Sequence, residues 1–235
     1  MTAQQILHEI EPLGSETYRR TLRNHGVQGP IFGVKIEFLK KYEKRFKKSY
    51  PLALDLFATG VYDARYLAGL IADEDRMTRE DLCGWLAQDN VDTVAEYAVA
   101  WVAADGPHGW ELGLEWIESP HPTTALVGWA TLSGVVSVRP DDSLDIGGLR
   151  GLLRRVEKNI HSEPDRVRYK MNGFVIAVGT YVAKLTDEAL ATAERIGPVE
   201  VNMRGTACKV PAAPDYIRKV MGMGRVGKKR RSARC

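Results

Sequence analysis

The sequence predicts an all-α protein, an α-solenoid of stacked antiparallel helix pairs. Three observations point there. Apolar residues recur at three- and four-residue spacing from one end of the 235-residue chain to the other, strand-like alternation bounded by turn residues is hard to find, and glycine or proline breaks the apolar runs at short intervals. Short helices joined by a few residues pack antiparallel. Pairs repeating roughly every 30 to 45 residues without a strict sequence period are the mark of a degenerate helical repeat. A compact globin-like or bundle arrangement is the alternative that the pattern leaves open.

Over 33–49, Val34, Ile36, Phe38, Leu39, Tyr42 and Phe46 gather mainly on one side, while Lys40, Lys41, Lys44, Lys47 and Lys48 cover the rest, so the exposed side is cationic. Pro51 suits a first helical position and opens a helix through Leu52, Leu54, Leu56 and Phe57 that Gly60 closes. Asp63 to Ala72 forms its partner. Thr78, with Asp81 three residues on, resembles a capping arrangement for the helix through Leu82, Trp85 and Leu86. Helices then follow over 92–104, 107–117, 122–136, 143–159, 164–185 and 187–196, each ending at a recognisable breaker such as Gly106 or the 119–122 segment. The array extends over residues 1–220 as one domain. From about residue 221 to 235 apolar periodicity is lost in GMGRVGKKRRSARC, which reads as a basic, mobile tail.

The net charge of +3 conceals a strong segregation. Residues 18–50 carry 10 basic and 2 acidic side chains, residues 51–150 carry 5 and 17, and residues 218–235 carry 8 and none. An anionic surface is therefore attracted to the two ends and repelled by the middle, unless folding gathers the few central cations on one face. No apolar run approaches the roughly 18 residues that a bilayer span requires, and the first residues carry acids where a signal peptide needs a basic start, so a cytoplasmic protein is expected. Cys83, Cys208 and Cys235 lack CxxC spacing, and His108, His121 and His161 lie far apart; neither a disulfide framework, a metal site nor a cofactor is expected.

Several stretches carry a family resemblance. They are Phe32 to Lys35 with the helix after it, the run LDLFATGVYDARYLAGLIAD over 54–73 with Arg65 in its turn, Val167 to Leu185, and VEVNMRGTACKVPAAPDYIRK over 199–219. Together, over roughly residues 15 to 220, the chain resembles the DNA alkylation repair (AlkD-like) family of HEAT-repeat DNA glycosylases. The resemblance implies a HEAT-like solenoid with a concave cationic groove that holds a duplex. It also implies an aspartate and tryptophans that favour the developing positive charge as an alkylated base leaves. At the matching positions the aspartate reads as Ala95, one tryptophan as Val91 and the other as Thr180, and the segment 125–130 lacks the expected arginine. The usual excision chemistry is therefore expected to be lost or rebuilt.

Asp92 and Glu96, four residues apart on one helix face, are the candidate replacement carboxylates, with solvation of a surface as the ordinary alternative. Trp101, Trp110, Trp116 and Trp129 suit core packing or stacking on a sugar. The candidate nucleic-acid contacts are Lys35, Arg65, Arg168, Lys170, Lys209, Lys228, Lys229, Arg230 and Arg231, with Lys209 in a 205–211 loop where backbone amides could join it around a phosphate. The expected partner is duplex DNA held by its backbone, with the protein acting as a monomer. A protein partner in the groove, which the acidic centre would suit, and an active glycosylase using Asp92 or Glu96 are the rival readings.

Overall fold

A computed structural model of the 235-residue chain describes residues 1–88, 94–203 and 209–234. Among the described residues it is all-α, with helices α1 (Ala3–Ile10), α2 (Glu16–Asn24), α3 (Ile36–Phe46), α4 (Tyr50–Ala58), α5 (Tyr62–Ile71), α6 (Arg79–Gln88), α7 (Ala98–Asp105), α8 (Gly109–Trp116), α9 (Pro122–Val138), α10 (Ile146–Asn159), α11 (Asp165–Tyr181), α12 (Thr186–Ile196) and α13 (Ala213–Gly222). A lone antiparallel bridge between Gly14 and Val34 is the extended pairing seen among these residues. No helix among them is long and apolar enough to cross a membrane.

Much of the predicted punctuation marks helix ends, but the helix expected from residue 92 begins at Ala98, so Glu96 lies in the turn before it and not on a helix face. Pro51 lies in the first turn of α4, where its missing N–H removes no helical hydrogen bond, and Gly60 follows that helix at a φ of 75°. Ahead of α6, the Thr78 hydroxyl accepts from the Asp81 N–H at 3.1 Å while the Asp81 carboxylate accepts from the Thr78 N–H at 3.0 Å, a reciprocal cap. Asp145 caps α10 by accepting from the Gly148 N–H. No helix is predicted before residue 33, yet α1 and α2 form there, each capped by a hydroxyl, Thr2 for α1 and Ser15 for α2.

The chain divides into two compact units. Of the described residues, the first holds 1–88, 94–109 and Arg234, and the second 110–203 and 209–233. Within the first, α5 packs on α3, α4 and α7, and all ten of its residues are buried. Gly69 of α5 lies against α7: a Cβ built on it would lie 2.6 Å from Ala98 Cβ. Gly69→Ala therefore forces two buried helices apart and is expected to destabilise the protein by about 2 kcal/mol in urea titrations monitored by circular dichroism. Within the second unit, α11 is the hub, contacting α9, α12 and α13.

The basic tail is held down, contrary to the mobile segment that its composition suggests. In the second unit the Lys229 ammonium donates to the Val136 carbonyl at 2.9 Å and pairs with Asp141 at 2.8 Å, while the Gly227 and Arg230 N–H groups donate to the carbonyls of Thr180 and Ser137. In the first unit Arg234 donates to the carbonyls of Gly69 and Ala72 at the end of α5, both at 2.9 Å, and pairs with Glu74 at 3.0 Å. Half-buried carboxylates and helix-end carbonyls, most of them more than 85 residues away, supply what local sequence could not show.

Candidate functional site

In the first unit, α5 and the turn before α7 bring an aromatic group and a carboxylate together. Tyr62 and Tyr66, four apart on α5, share a face, as do Tyr97 and Trp101 at the start of α7. Tyr66 meets the Trp101 ring edge-on at 5.4 Å and 86°, and Tyr97 lies 5.5 Å from Trp101. Gly69 and the alanines of α7 allow the helix axes to approach, which brings these large rings side by side. Beside them is Glu96, 6% exposed. The Tyr62 hydroxyl is pushed far above its ordinary range, first by burial and then by the neighbouring Tyr97, Tyr66, Tyr18 and Glu96. It is a neutral hydroxyl at any physiological pH.

Asp63 fixes the segment that leads into α3. Its carboxylate accepts N–H donors from Phe32 at 2.7 Å, Gly33 at 3.4 Å and Val34 at 2.7 Å, and it is buried throughout. Burial pushes its pKa up and the three donors pull it part of the way back. The same charge, added to burial, raises Tyr18.

The sequence-derived candidates fare unequally. Asp92 and Val91 lie outside the described residues. Ala95, where the resemblance places the catalytic aspartate, is 0% exposed in the turn before α7. Thr180 is buried in α11, and its hydroxyl has no hydrogen-bond partner among the described residues. Arg65 is buried rather than presented to a ligand. Its Nε donates to the Phe57 carbonyl and its Nη2 to the Gln88 carbonyl, both at 3.2 Å, and the guanidinium lies 5.0 Å from the Phe57 ring, which itself stacks on Trp85 at 4.3 Å. It ties α4 and α6 to α5, a role set by burial that residue type alone does not reveal.

Arg168 is also engaged at home, donating to the Glu163 carbonyl at 3.2 Å and pairing with Asp165. Lys170 is half-buried with its ammonium 6.0 Å from the Tyr169 ring. Lys35, Lys209, Lys228, Arg230 and Arg231 are exposed, whereas Lys229 is consumed by the contacts already described. Arg155 of α10 reaches within 5.9 Å of the Trp129 ring, donates to the Ile117 carbonyl at 3.0 Å and pairs with Glu118. Trp129 itself packs in the core against Phe174. The spacing of Tyr62 with Tyr66 and of Tyr97 with Trp101, each four apart, is the sequence signal from which the aromatic cluster could have been found. Among the described residues no three His, Cys, Asp or Glu side chains come together as a metal site would require.

These features define an all-helical repeat protein of the HEAT-like kind, with one carboxylate set among aromatic rings. Comparison with known proteins agrees. A solved structure reported as "a new family of proteins related to the HEAT-like repeat DNA glycosylases with affinity for branched DNA structures" matches with a TM-score of 0.90 and 29% identity over 100% of both chains. Uncharacterized proteins of Listeria innocua and Listeria monocytogenes are each 31% identical over 93% of this chain and 97% of their own length. The model of the DNA alkylation repair enzyme family matches residues 6–210, and the chain belongs to that family.

Proposed function

We propose that this protein binds DNA electrostatically through backbone phosphates, that branched DNA is among its ligands, and that it lacks the alkylpurine excision of its glycosylase relatives. The observation that carries this reading is the full-length likeness to a structure whose family is described as having affinity for branched DNA. Burial of Ala95 supports the second half: at that position there is neither a carboxylate nor a path for solvent. The excision transition state needs negative charge beside the sugar as the positively charged base departs. An alanine offers none.

The cations suited to phosphate are the exposed ones, Lys35, Lys209, Lys228, Arg230 and Arg231, with half-buried Lys170 beside them; Arg65 and Lys229 are committed internally. The test is fluorescence anisotropy with labelled duplex and four-way-junction DNA across a salt series. Binding to both should weaken steeply as salt rises, by about one unit of log–log slope for each phosphate neutralised. Salt-independent binding, or none in dilute buffer, would refute the proposal and favour a protein-binding scaffold.

A second reading has one observation in its favour. Glu96 is a buried carboxylate beside Tyr62, Tyr97 and Trp101, the kind of surroundings that stabilise a cationic sugar. It predicts base release from methylated DNA that disappears in Glu96→Gln.

A further inference from the structure

Helix α3 carries more positive charge than its neighbours neutralise. Three of its flanking cations have acidic partners: Lys35 lies 3.8 Å from Glu37, Arg45 lies 3.6 Å from Glu9, and Lys48 pairs with Glu74 and Asp75. Lys40, Lys41, Lys44 and Lys47 have no ion pair among the described residues; Lys41 has its ammonium 5.0 Å from the Phe38 ring. At a helical pitch of 100° per residue Lys40, Lys41 and Lys44 fall within an arc of about 100°, and at 1.5 Å per residue they span about 6 Å; Lys47 follows as the residue that caps the helix. Leu39 is buried on the side away from them. Three of the four are exposed and Lys40 is half-exposed.

Helix physics accounts for only part of this set. Cations near the last turn of α3 suit its C-terminal carbonyls, which covers Lys44 and Lys47. Lys40 and Lys41 lie mid-helix, where lysines at i, i+4 repel each other, as Lys40 and Lys44 do. Lys47 occupies a φ of 48°, a conformation that favours glycine, yet it presents a long exposed cation. The arc carries none of the exposed large apolar side chains, which are Met1, Leu13, Tyr216, Met221 and Met223. A membrane surface would need such anchors. Exposed Glu37, four residues before Lys41 and paired with Lys35, shares this arc; four ammonium groups beside one carboxylate, with no exposed large apolar side chain between them, suit a phosphate backbone.

Resting on the proposal that this protein binds DNA, we infer that the Lys40, Lys41, Lys44 and Lys47 face of α3 is a backbone-docking surface for a duplex or a duplex arm. It adds four cations in the first unit to Lys35, which lies just ahead of the same helix.

The experiment compares the full-length protein with two fourfold variants, Lys→Gln and Lys→Arg at these positions, using labelled duplex and four-way-junction DNA in a salt series. The Gln variant should bind at least tenfold more weakly in dilute salt, with a log–log salt slope lower by about 4, one for each lysine. The Arg variant should restore both. The melting temperature of the Gln variant should stay close to the parent's, because relief of the Lys40–Lys44 repulsion offsets the loss of the helix-end cations Lys44 and Lys47. If the parent binds DNA and the Gln variant keeps its slope and affinity, this inference falls while the binding proposal stands. If the parent binds no DNA in dilute salt, both fall. Phosphatidylserine vesicles bound by the parent but not by the Gln variant, with DNA binding unaltered, would reassign the face to membranes and overturn the inference.

Discussion

Arg234→Ala is expected to lower the stability of the protein by about 3 kcal/mol, although the residue lies in a segment whose composition reads as a free tail. Its side chain is only 12% exposed and serves the Gly69 and Ala72 carbonyls, Glu74 and, at 3.9 Å, Asp105. Removing it leaves two buried helix-end carbonyls and two nearly buried carboxylates without their shared cation, a larger loss than the pair's net contribution. The effect should depend on pH with a defined sign. Burial alone would raise the Glu74 pKa, but the hydrogen bond from Lys48 and the charge of Arg234 leave it net below the ordinary 4.5. A depressed carboxylate stabilises the fold above its unfolded pKa and loses that contribution as pH falls through its folded value. In urea melts the gap between parent and Arg234→Ala should therefore be full at pH 7 and shrink as pH falls below 4.5. Equal stability of the two at pH 7 would mean that the segment is not docked.

The second large effect is expected at Asp63. Its two oxygens together accept three N–H donors from consecutive residues, Phe32, Gly33 and Val34, so Asn cannot replace it isosterically. One of the two positions would become an NH₂ facing an N–H, leaving at least one buried donor unsatisfied. Asp63→Asn should cost about 3 kcal/mol, measured as a lower urea midpoint with an unchanged m-value. Hydrogen exchange at the amides of 32–34 should accelerate with it. A variant as stable as the parent would show that these three contacts contribute little net stability.

Both residues illustrate what could and could not be read from one sequence. Helix boundaries were legible where their cause is local: Pro51 in the first turn of α4, Gly60 after it, and the Thr78 and Asp81 cap all act within a few residues of themselves. The all-helical repeat architecture was legible for the same reason, since apolar periodicity reports a buried face without naming what covers it. The fates of charged side chains were not. Arg65, a candidate phosphate contact by residue type, is committed to the Phe57 and Gln88 carbonyls, and the acceptor 23 positions away cannot be chosen from sequence. Lys229 and Arg234 reach acids and carbonyls far along the chain, whereas Lys228, Arg230 and Arg231 beside them stay exposed. Of the candidate acids, Glu96 proved to adjoin the aromatic cluster. Its surroundings became visible only once α5 and α7 were packed together.

The claim that this protein holds DNA without excising its bases is most directly tested in a single-turnover assay. Protein in excess, at a salt concentration where anisotropy shows the DNA fully bound, is incubated with duplex carrying 7-methylguanine and 3-methyladenine, and free base is followed by chromatography. Base should appear no faster than in the same DNA without protein. Release above that background from the bound complex would contradict the claim and return attention to Glu96 and its aromatic neighbours.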